Sequence, residues 1–239
     1  MKKWTLVTGG AKGLGAAIAQ TLASQGMPLL IHYRTSKLEA ENVAEICRQC
    51  GVDAEIIYGD FSSPESTSQF IKTCTLQFPE VKNLINNVGN YLIKSATKTT
   101  PEEWNHLFQT NLNAPFALCQ AFLPSIISSQ GNIINIGVVG ANNIHADTQR
   151  SAYLTTKMSL WMLTKSLARE LAESNVRVNM ISPGFIENAV DIQSVSRLPM
   201  GRPASFDEVT RVATFLIDPK NSYITGQNIE VGGGIGLIH

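Results

Sequence analysis

The chain has 239 residues, of which 44% are apolar and 16% charged, with a formal net charge of zero. That length suits one full-sized α/β domain with a substantial core, and the composition is globular, not disordered. Zero net charge gives no footprint for nucleic acid or another polyanion, and no stretch approaches the roughly 20 apolar residues of a membrane span.

The start, Met1-Lys2-Lys3-Trp4, is basic and then apolar. Gly9, Gly10 and Lys12 break the run, so it reads as the opening strand and not as a leader. Lys3 to Thr8 is that strand, and Leu14 to Gln25 then shows helical periodicity. Met27 to Tyr33 is a second apolar run, Ser36 to Cys50 a helix, and Ala54 to Tyr58 a third strand. Ser63-Pro64-Glu65 signals a helix start, with Ser as N-cap and Pro at the first position. Asn83 to Asn86 is a fourth strand, and Thr100-Pro101-Glu102-Glu103 opens another helix. Asn132 to Ile136 is a fifth strand, followed by a helix from Ser151. Val176 to Ile181, a helix over Phe206 to Ile217 and a strand at Asn228 to Val231 complete the series. Nearly all-apolar strands alternating with helices predict a doubly wound parallel sheet, Rossmann-type, of about seven strands with helices on both faces. With no repeat, linker or low-complexity segment, residues 1–239 read as one domain. The cysteines, Cys47, Cys50, Cys74 and Cys119, are expected to be reduced thiols of a cytoplasmic protein. Cys47 and Cys50 have C-x-x-C spacing but no second pair, so no metal is expected.

After the first strand comes Thr8-Gly9-Gly10-Ala11-Lys12-Gly13-Leu14-Gly15. Small residues let the backbone approach a pyrophosphate, and the next helix aims its first amides at it. The spacing is T-G-x-x-x-G-x-G and not G-x-G-x-x-G. At the end of the second strand an enzyme preferring NAD places a carboxylate for the ribose 2′-hydroxyl. This chain has His32-Tyr33-Arg34 there, with no acid. Arg34 suits a 2′-phosphate, and Lys12 adds a second positive charge, so the expected cofactor is NADP(H). On the helix from Ser151, Tyr153 and Lys157 are four apart and share a face. A neighbouring ammonium favours the phenolate and makes Tyr153 a candidate acid/base near neutral pH.

These residues resemble the short-chain dehydrogenase/reductase family, and the resemblance spans essentially the whole chain. Thr8 to Gly15 matches its glycine motif, and Asp60, with Phe61 beside it, follows the third strand where the family contacts adenine. Asn86-Asn87-Val88-Gly89 is similar to N-N-A-G, Asn111 matches the helix asparagine of the catalytic tetrad, and Tyr153 with Lys157 matches Y-x-x-x-K. Pro183-Gly184 and, further on, Ile224-Thr225-Gly226-Gln227 with Gly232-Gly233 match the later signatures. Ser166-Leu167-Ala168-Arg169-Glu170 and Pro183-Gly184-Phe185-Ile186-Glu187 are most similar to the 3-oxoacyl-(acyl-carrier-protein) reductases. The resemblance implies hydride transfer from the nicotinamide to a carbonyl carbon, with Tyr153 protonating the oxygen. Lys157 would hold the nicotinamide ribose, and Asn111 would position a proton-relaying water. Thr8, Gly9, Lys12, Gly13, Leu14, Gly15, Arg34, Asp60, Phe61, Asn87, Val88, Gly89, Pro183, Gly184 and Ile186 would line the cofactor. It also implies a homotetramer or homodimer built on the Asn111 and Tyr153 helices.

The pattern breaks at the catalytic serine. The family has a segment like I-N-I-S-S-V-V-G; this chain has Ile134-Asn135-Ile136-Gly137-Val138-Val139-Gly140. The serine position falls on Val138 or near Gly140, neither with a hydroxyl, and losing such a donor typically costs about 10²–10³ in rate. Asn142, Asn143, His145 and Thr148 in the following loop are candidate substitutes. The lid segment from Phe185 to Met200 is short, which suggests a small or open lid. The segments matching a carrier-docking face, Ser128-Ser129-Gln130-Gly131 and Glu173-Ser174-Asn175, hold no Lys or Arg. Three readings follow: an NADPH-dependent carbonyl reductase acting on a small carbonyl compound or an acyl thioester, a pteridine-type or other small-molecule reductase, and a cofactor-binding protein with weak or no turnover.

Overall fold

The computed structural model describes residues 2–187 and 198–237. Its elements run β1 (Trp4–Val7), α1 (Gly13–Ser24), β2 (Leu29–Tyr33), α2 (Lys37–Gln49), β3 (Ala54–Tyr58), α3 (Pro64–Gln77) and β4 (Val81–Asn86). Then come α4 (Pro101–Phe108), a π turn (Gln109–Asn113), α5 (Ala114–Ser128), β5 (Asn132–Ile136), α6 (Ser151–Glu170), β6 (Arg177–Pro183), α7 (Phe206–Ile217) and β7 (Asn228–Val231). The strands form one seven-stranded sheet in the order β3-β2-β1-β4-β5-β6-β7, each pair parallel. The order reverses between β1 and β4, and the crevice at such a reversal is where an open α/β sheet takes its ligand.

Strand apolarity follows from double coverage. Val7, Ile31, Ile85 and Ile134 face α1, α2 and α7 in one core. The alternate residues Leu6, Leu30, Leu84 and Ile133 face α3, α5 and α6 in the other. Capping chemistry sets the helix starts: Ser63 Oγ accepts from Ser66 N, and Thr100 Oγ1 from Glu103 N while Glu103 Oε2 accepts from Thr100 N. The far end of α7 is closed from the sheet. The buried Arg177 guanidinium donates to the carbonyls of Leu216 and Ile217, last-turn groups with no partner inside the helix, and to Asn221 O in the turn that follows.

Three boundaries differ from the sequence reading by two residues, and others by one. β2 starts at Leu29, after Pro28, which has no N–H to give a ladder. β4 begins at Val81, which pairs with Trp4 across a register shift. β6 runs on to Pro183 because Ser182 and Pro183 pair with Glu230 and Val231. The helix opened by Thr100, for which the sequence reading gives only a start, passes through the π turn into α5.

Polar side chains lock α6 to the sheet. Asn86 Nδ2 donates to Asn135 Oδ1 at 2.8 Å, and Asn135 Nδ2 donates to Thr164 Oγ1 at 2.8 Å. Buried in low dielectric, such a chain is costly to break and fixes register. It holds the helix carrying Tyr153 and Lys157 against β5.

Candidate active site

The glycine turn is a backbone construction. Gly9 (φ +63°) and Gly13 (φ +53°) take left-handed conformations that disfavour a side chain. A Cβ on Gly15 would lie 2.2 Å from Gly9 O. Thr8 Oγ1 accepts from the amides of Asn87 (2.9 Å) and Val88 (3.0 Å), and Asn87 Nδ2 donates to Thr8 O at 2.9 Å. The ends of β1 and β4 are thereby tied together across the crevice. Lys12 is the N-cap of α1, with no side chain capping the helix and no acid in the first turn. That bare, electropositive N-terminus fits a pyrophosphate.

Arg34 and Lys12, the two cations singled out from the sequence, are both paired. Arg34 lies 3.8 Å from Asp60, and Lys12 Nζ lies 2.7 Å from Glu39. Both guanidinium and ammonium are half-exposed, and such pairs are weak in water, so each can turn to a phosphate. Asp60 also accepts from Ser62 N, while Phe61 is buried with its ring on His32.

His32 is the residue the sequence reading passed over. It is buried, stacked on Phe61 with ring centroids 4.4 Å apart. Its Nδ1 accepts from Gly9 N at 2.9 Å, and its Nε2 sits 3.1 Å from Gly59 O. These two bonds call for the neutral ring protonated at Nε2. Burial pushes the imidazole down to about 4, so the ring stays neutral and the bridge stays intact at neutral pH. The signal was present: an imidazole inside an apolar strand needs partners on both nitrogens.

At the other end Tyr153 and Lys157 share a face of α6, with Lys157 Nζ 5.9 Å from the Tyr153 ring centroid. Lys157 is only 4% exposed, and Nζ donates to Ile136 O at 2.8 Å. Burial lowers it to about 8, which leaves the ammonium mostly charged at pH 7. A Cβ on Gly89 would sit 3.1 Å from that nitrogen, so the glycine opens the backbone to it. Asn111 stands in the π turn, fully buried. Its Oδ1 accepts from Asn90 N (2.7 Å), and its Nδ2 donates to Asn90 O (3.0 Å) and Thr156 Oγ1 (3.0 Å). A π turn inserts one residue into a helix and often marks a functional site; here it turns Asn111 inward. Pro183 ends β6, Gly184 N donates to Val231 O, and Ile186 bridges to Ala204. Among the described residues no group of three or more His, Cys, Asp or Glu is placed to hold a metal.

The segment after β5 has its own logic. A Cβ on Gly137 would meet Ser182 Oγ at 2.5 Å and Met180 Sδ at 2.6 Å, so no serine fits there. Gly140 has φ +87°, donates its N–H to Glu230 Oε1, and lies against the His145 ring. His145 is exposed, and its Nδ1 bonds within its own loop, to Asn143 O. Part of the expected lid between Phe185 and Met200 lies outside the described residues.

Residues 9–236 match a family model described as Enoyl-(Acyl carrier protein) reductase. The chain is 33% identical to a 3-oxoacyl-(acyl-carrier-protein) reductase of Staphylococcus aureus, over 98% of both chains. This chain belongs to the short-chain dehydrogenase/reductase family. Its fold is shared with an acetoin dehydrogenase of Salmonella typhimurium (TM-score 0.90, 31% identity, 100% of this chain and 99% of that one). It also matches a blue fluorescent protein from a metagenomic library in complex with NADPH (TM-score 0.89, 28% identity, 97% of each chain). Tyr153, Lys157 and Asn111 are the residues its sequence singles out, and Gly137-Val138-Val139-Gly140 follows β5.

Proposed function

We propose that the chain is an NADPH-dependent carbonyl reductase, working as one domain in the cytoplasm and as a homodimer or homotetramer. One observation carries this reading: the Lys157 ammonium is buried under Tyr153 at the strand ends, beside the crevice that the glycine turn opens. When bound, the reduced nicotinamide supplies the hydride. Tyr153 donates a proton to the carbonyl oxygen as charge develops on it. The Lys157 ammonium stabilises the phenolate left behind. Asn111 ties the Asn90 backbone to Thr156, the neighbour of Lys157 on α6, and Lys157 Nζ itself is held on Ile136 O. Arg34 and Lys12, each held by an exchangeable carboxylate, support NADPH over NADH.

A small carbonyl substrate, such as a vicinal diketone, is favoured over a carrier-borne 3-oxoacyl chain. Residues 128–131 and 173–175 offer no cation to an acidic carrier, and a structural relative is named an acetoin dehydrogenase. The test is oxidation of NADPH and NADH with a diketone, a 3-oxoacyl thioester and a dihydropteridine. Turnover of the diketone with NADPH is expected to exceed the others. Comparable Kd values for the two cofactors would contradict the phosphate reading. Tight NADPH binding with no turnover on any substrate would favour a cofactor-binding protein.

A further inference from the structure

The backbone amides that follow β5 are nearly all taken. Gly137 N donates to Ile181 O (2.7 Å), Val139 N to Pro183 O (3.2 Å), Gly140 N to Glu230 Oε1 (2.9 Å) and Ala141 N to Val138 O (3.1 Å). The Val138 N–H in their midst has no partner among the described residues. Val138 is half-buried, at the position that holds the family's serine. A backbone donor left unpaired in a crevice is open to an acceptor from outside the chain.

Its direction follows from its neighbours. Gly137 and Val139 both donate toward β6, so the chain keeps the alternation of a strand past the end of β5. The amide between them faces the other way, to the β4 side. β4 has stopped pairing at that height: its last pair is Asn86 with Asn135, and the Asn87 and Val88 amides turn off to Thr8 Oγ1. On this same side, two residues earlier, Ile136 O takes Lys157 Nζ. From Ile136 to Val138 the strand rises roughly 6.6 Å toward the ligand end of the sheet. The crossover helix α6 runs the opposite way, and from Lys157 back to Tyr153 it climbs about 6 Å toward the same end. Ile136 stands level with Lys157, so the Val138 N–H stands level with the turn that carries Tyr153.

The donor is also held rigid. Val138 O accepts Ala141 N, Gly140 takes φ +87°, and the Val139 methyls fill the space where a Cβ on Gly232 or Gly236 would lie, at 2.7 and 2.8 Å. Hydroxyls nearby are committed: Ser182 Oγ donates to Asn228 Oδ1, and Thr156 Oγ1 to Tyr153 O. Asn142, Asn143, His145 and Thr148 are exposed on the loop beyond. A fixed backbone N–H needs no reorganisation when charge develops on an oxygen in front of it. We propose that the Val138 backbone N–H donates to the substrate's carbonyl oxygen the hydrogen bond for which Gly137 and Val138 carry no hydroxyl. This rests on the reductase reading. The amide holds the oxygen while Tyr153 protonates it.

The experiment compares the wild-type NADPH holoenzyme with one in which an ester replaces the Gly137–Val138 amide, made by placing the α-hydroxy acid analogue of valine at position 138. The isopropyl group stays and only the N–H goes. The expected result is a fall in kcat on the diketone of about 10²–10³, with unchanged NADPH Kd and unchanged Tm, because no bond within the protein is lost. Val138→Ser keeps the amide and adds a hydroxyl, so it should raise kcat by less than about tenfold, short of the worth of a missing donor. Amide exchange gives a second readout, which decides by itself if the ester does not fold. In the NADP+ holoenzyme the Val138 N–H should exchange fast, and the diketone should slow it by at least about tenfold while Gly137 and Val139, already bonded, stay as they are. An ester enzyme within about threefold of wild type, one that loses NADPH binding, or a Val138 amide that the diketone leaves unprotected overturns the proposal alone. A wild type inert toward the whole panel overturns the reductase reading and takes this proposal with it.

Discussion

The nucleotide half and the substrate half of this crevice are built in different ways. At the nucleotide end the geometry is set by backbone: left-handed glycines, a Thr8 hydroxyl taking two amides, and His32 bridging Gly9 to Gly59. Each contact is short-range, and few residue types satisfy it, so the turn tolerates little change. At the Tyr153 end the geometry is set by side chains, with Tyr91 of the loop after β4 packed edge to face on the Tyr153 ring and Lys157 Nζ on Ile136 O. Loop side chains can be exchanged without disturbing the sheet. A side chain at the Tyr153 end can therefore be exchanged with little cost to the sheet, whereas any Cβ at Gly15 would meet the Gly9 carbonyl.

That contrast can be broken or sharpened by substitution. The largest effect is expected from Lys157→Met, where removing the buried ammonium should lower kcat by about 10³. In wild type the reduction rate should fall as pH rises past about 8, the point at which this amine loses its proton. The amine is charged below that pH, so the falling limb lies on the alkaline side and should vanish in the methionine variant. A rate that stays flat from pH 6 to 9.5 would contradict the role. Next comes Arg34→Ser, which should cut the preference for NADPH over NADH by about ten- to a hundredfold, the worth of one charge-assisted contact. An unchanged Kd ratio would leave the 2′-phosphate to other residues. His32→Phe keeps the stack on Phe61 but leaves the Gly9 amide and Gly59 carbonyl without partners. It should weaken NADPH binding by about tenfold while kcat holds; equal NADPH affinity in the two proteins would confine His32 to a packing role. Smallest is Val138→Ser alone. It returns a hydroxyl to the position the family's serine takes, so the rate on the diketone should rise, by less than about tenfold, whereas an unchanged rate would mean that another group of the loop already donates.

Much of the fold was legible because its signals are local. Ser63-Pro64, Thr100-Pro101 with Glu103, and the apolar run Asn132 to Ile136 each fix an element with their own few residues. The passage from α4 into α5 was not legible, because a π turn leaves no periodicity of its own and Pro124 sits inside the second helix. Within the site, the glycine turn, Arg34, Tyr153 and Lys157 stood out by motif. The partners of Arg34 and Lys12 did not, since Asp60 and Glu39 come close only once β3 and α2 have packed. The same holds for Tyr91 and Tyr153, whose rings meet edge to face only once the loop after β4 packs on α6. His145, singled out from the sequence as a substitute donor, is placed against Gly140 and bonded within its own loop.

The central claim is that the Tyr153 phenol delivers the proton, and Tyr153→Phe tests it most directly through kcat on the diketone and NADPH Kd measured side by side. The account predicts a loss of kcat of about 10³ or more with Kd within twofold of wild type. A Tyr153→Phe enzyme that turns over at the wild-type rate would contradict it.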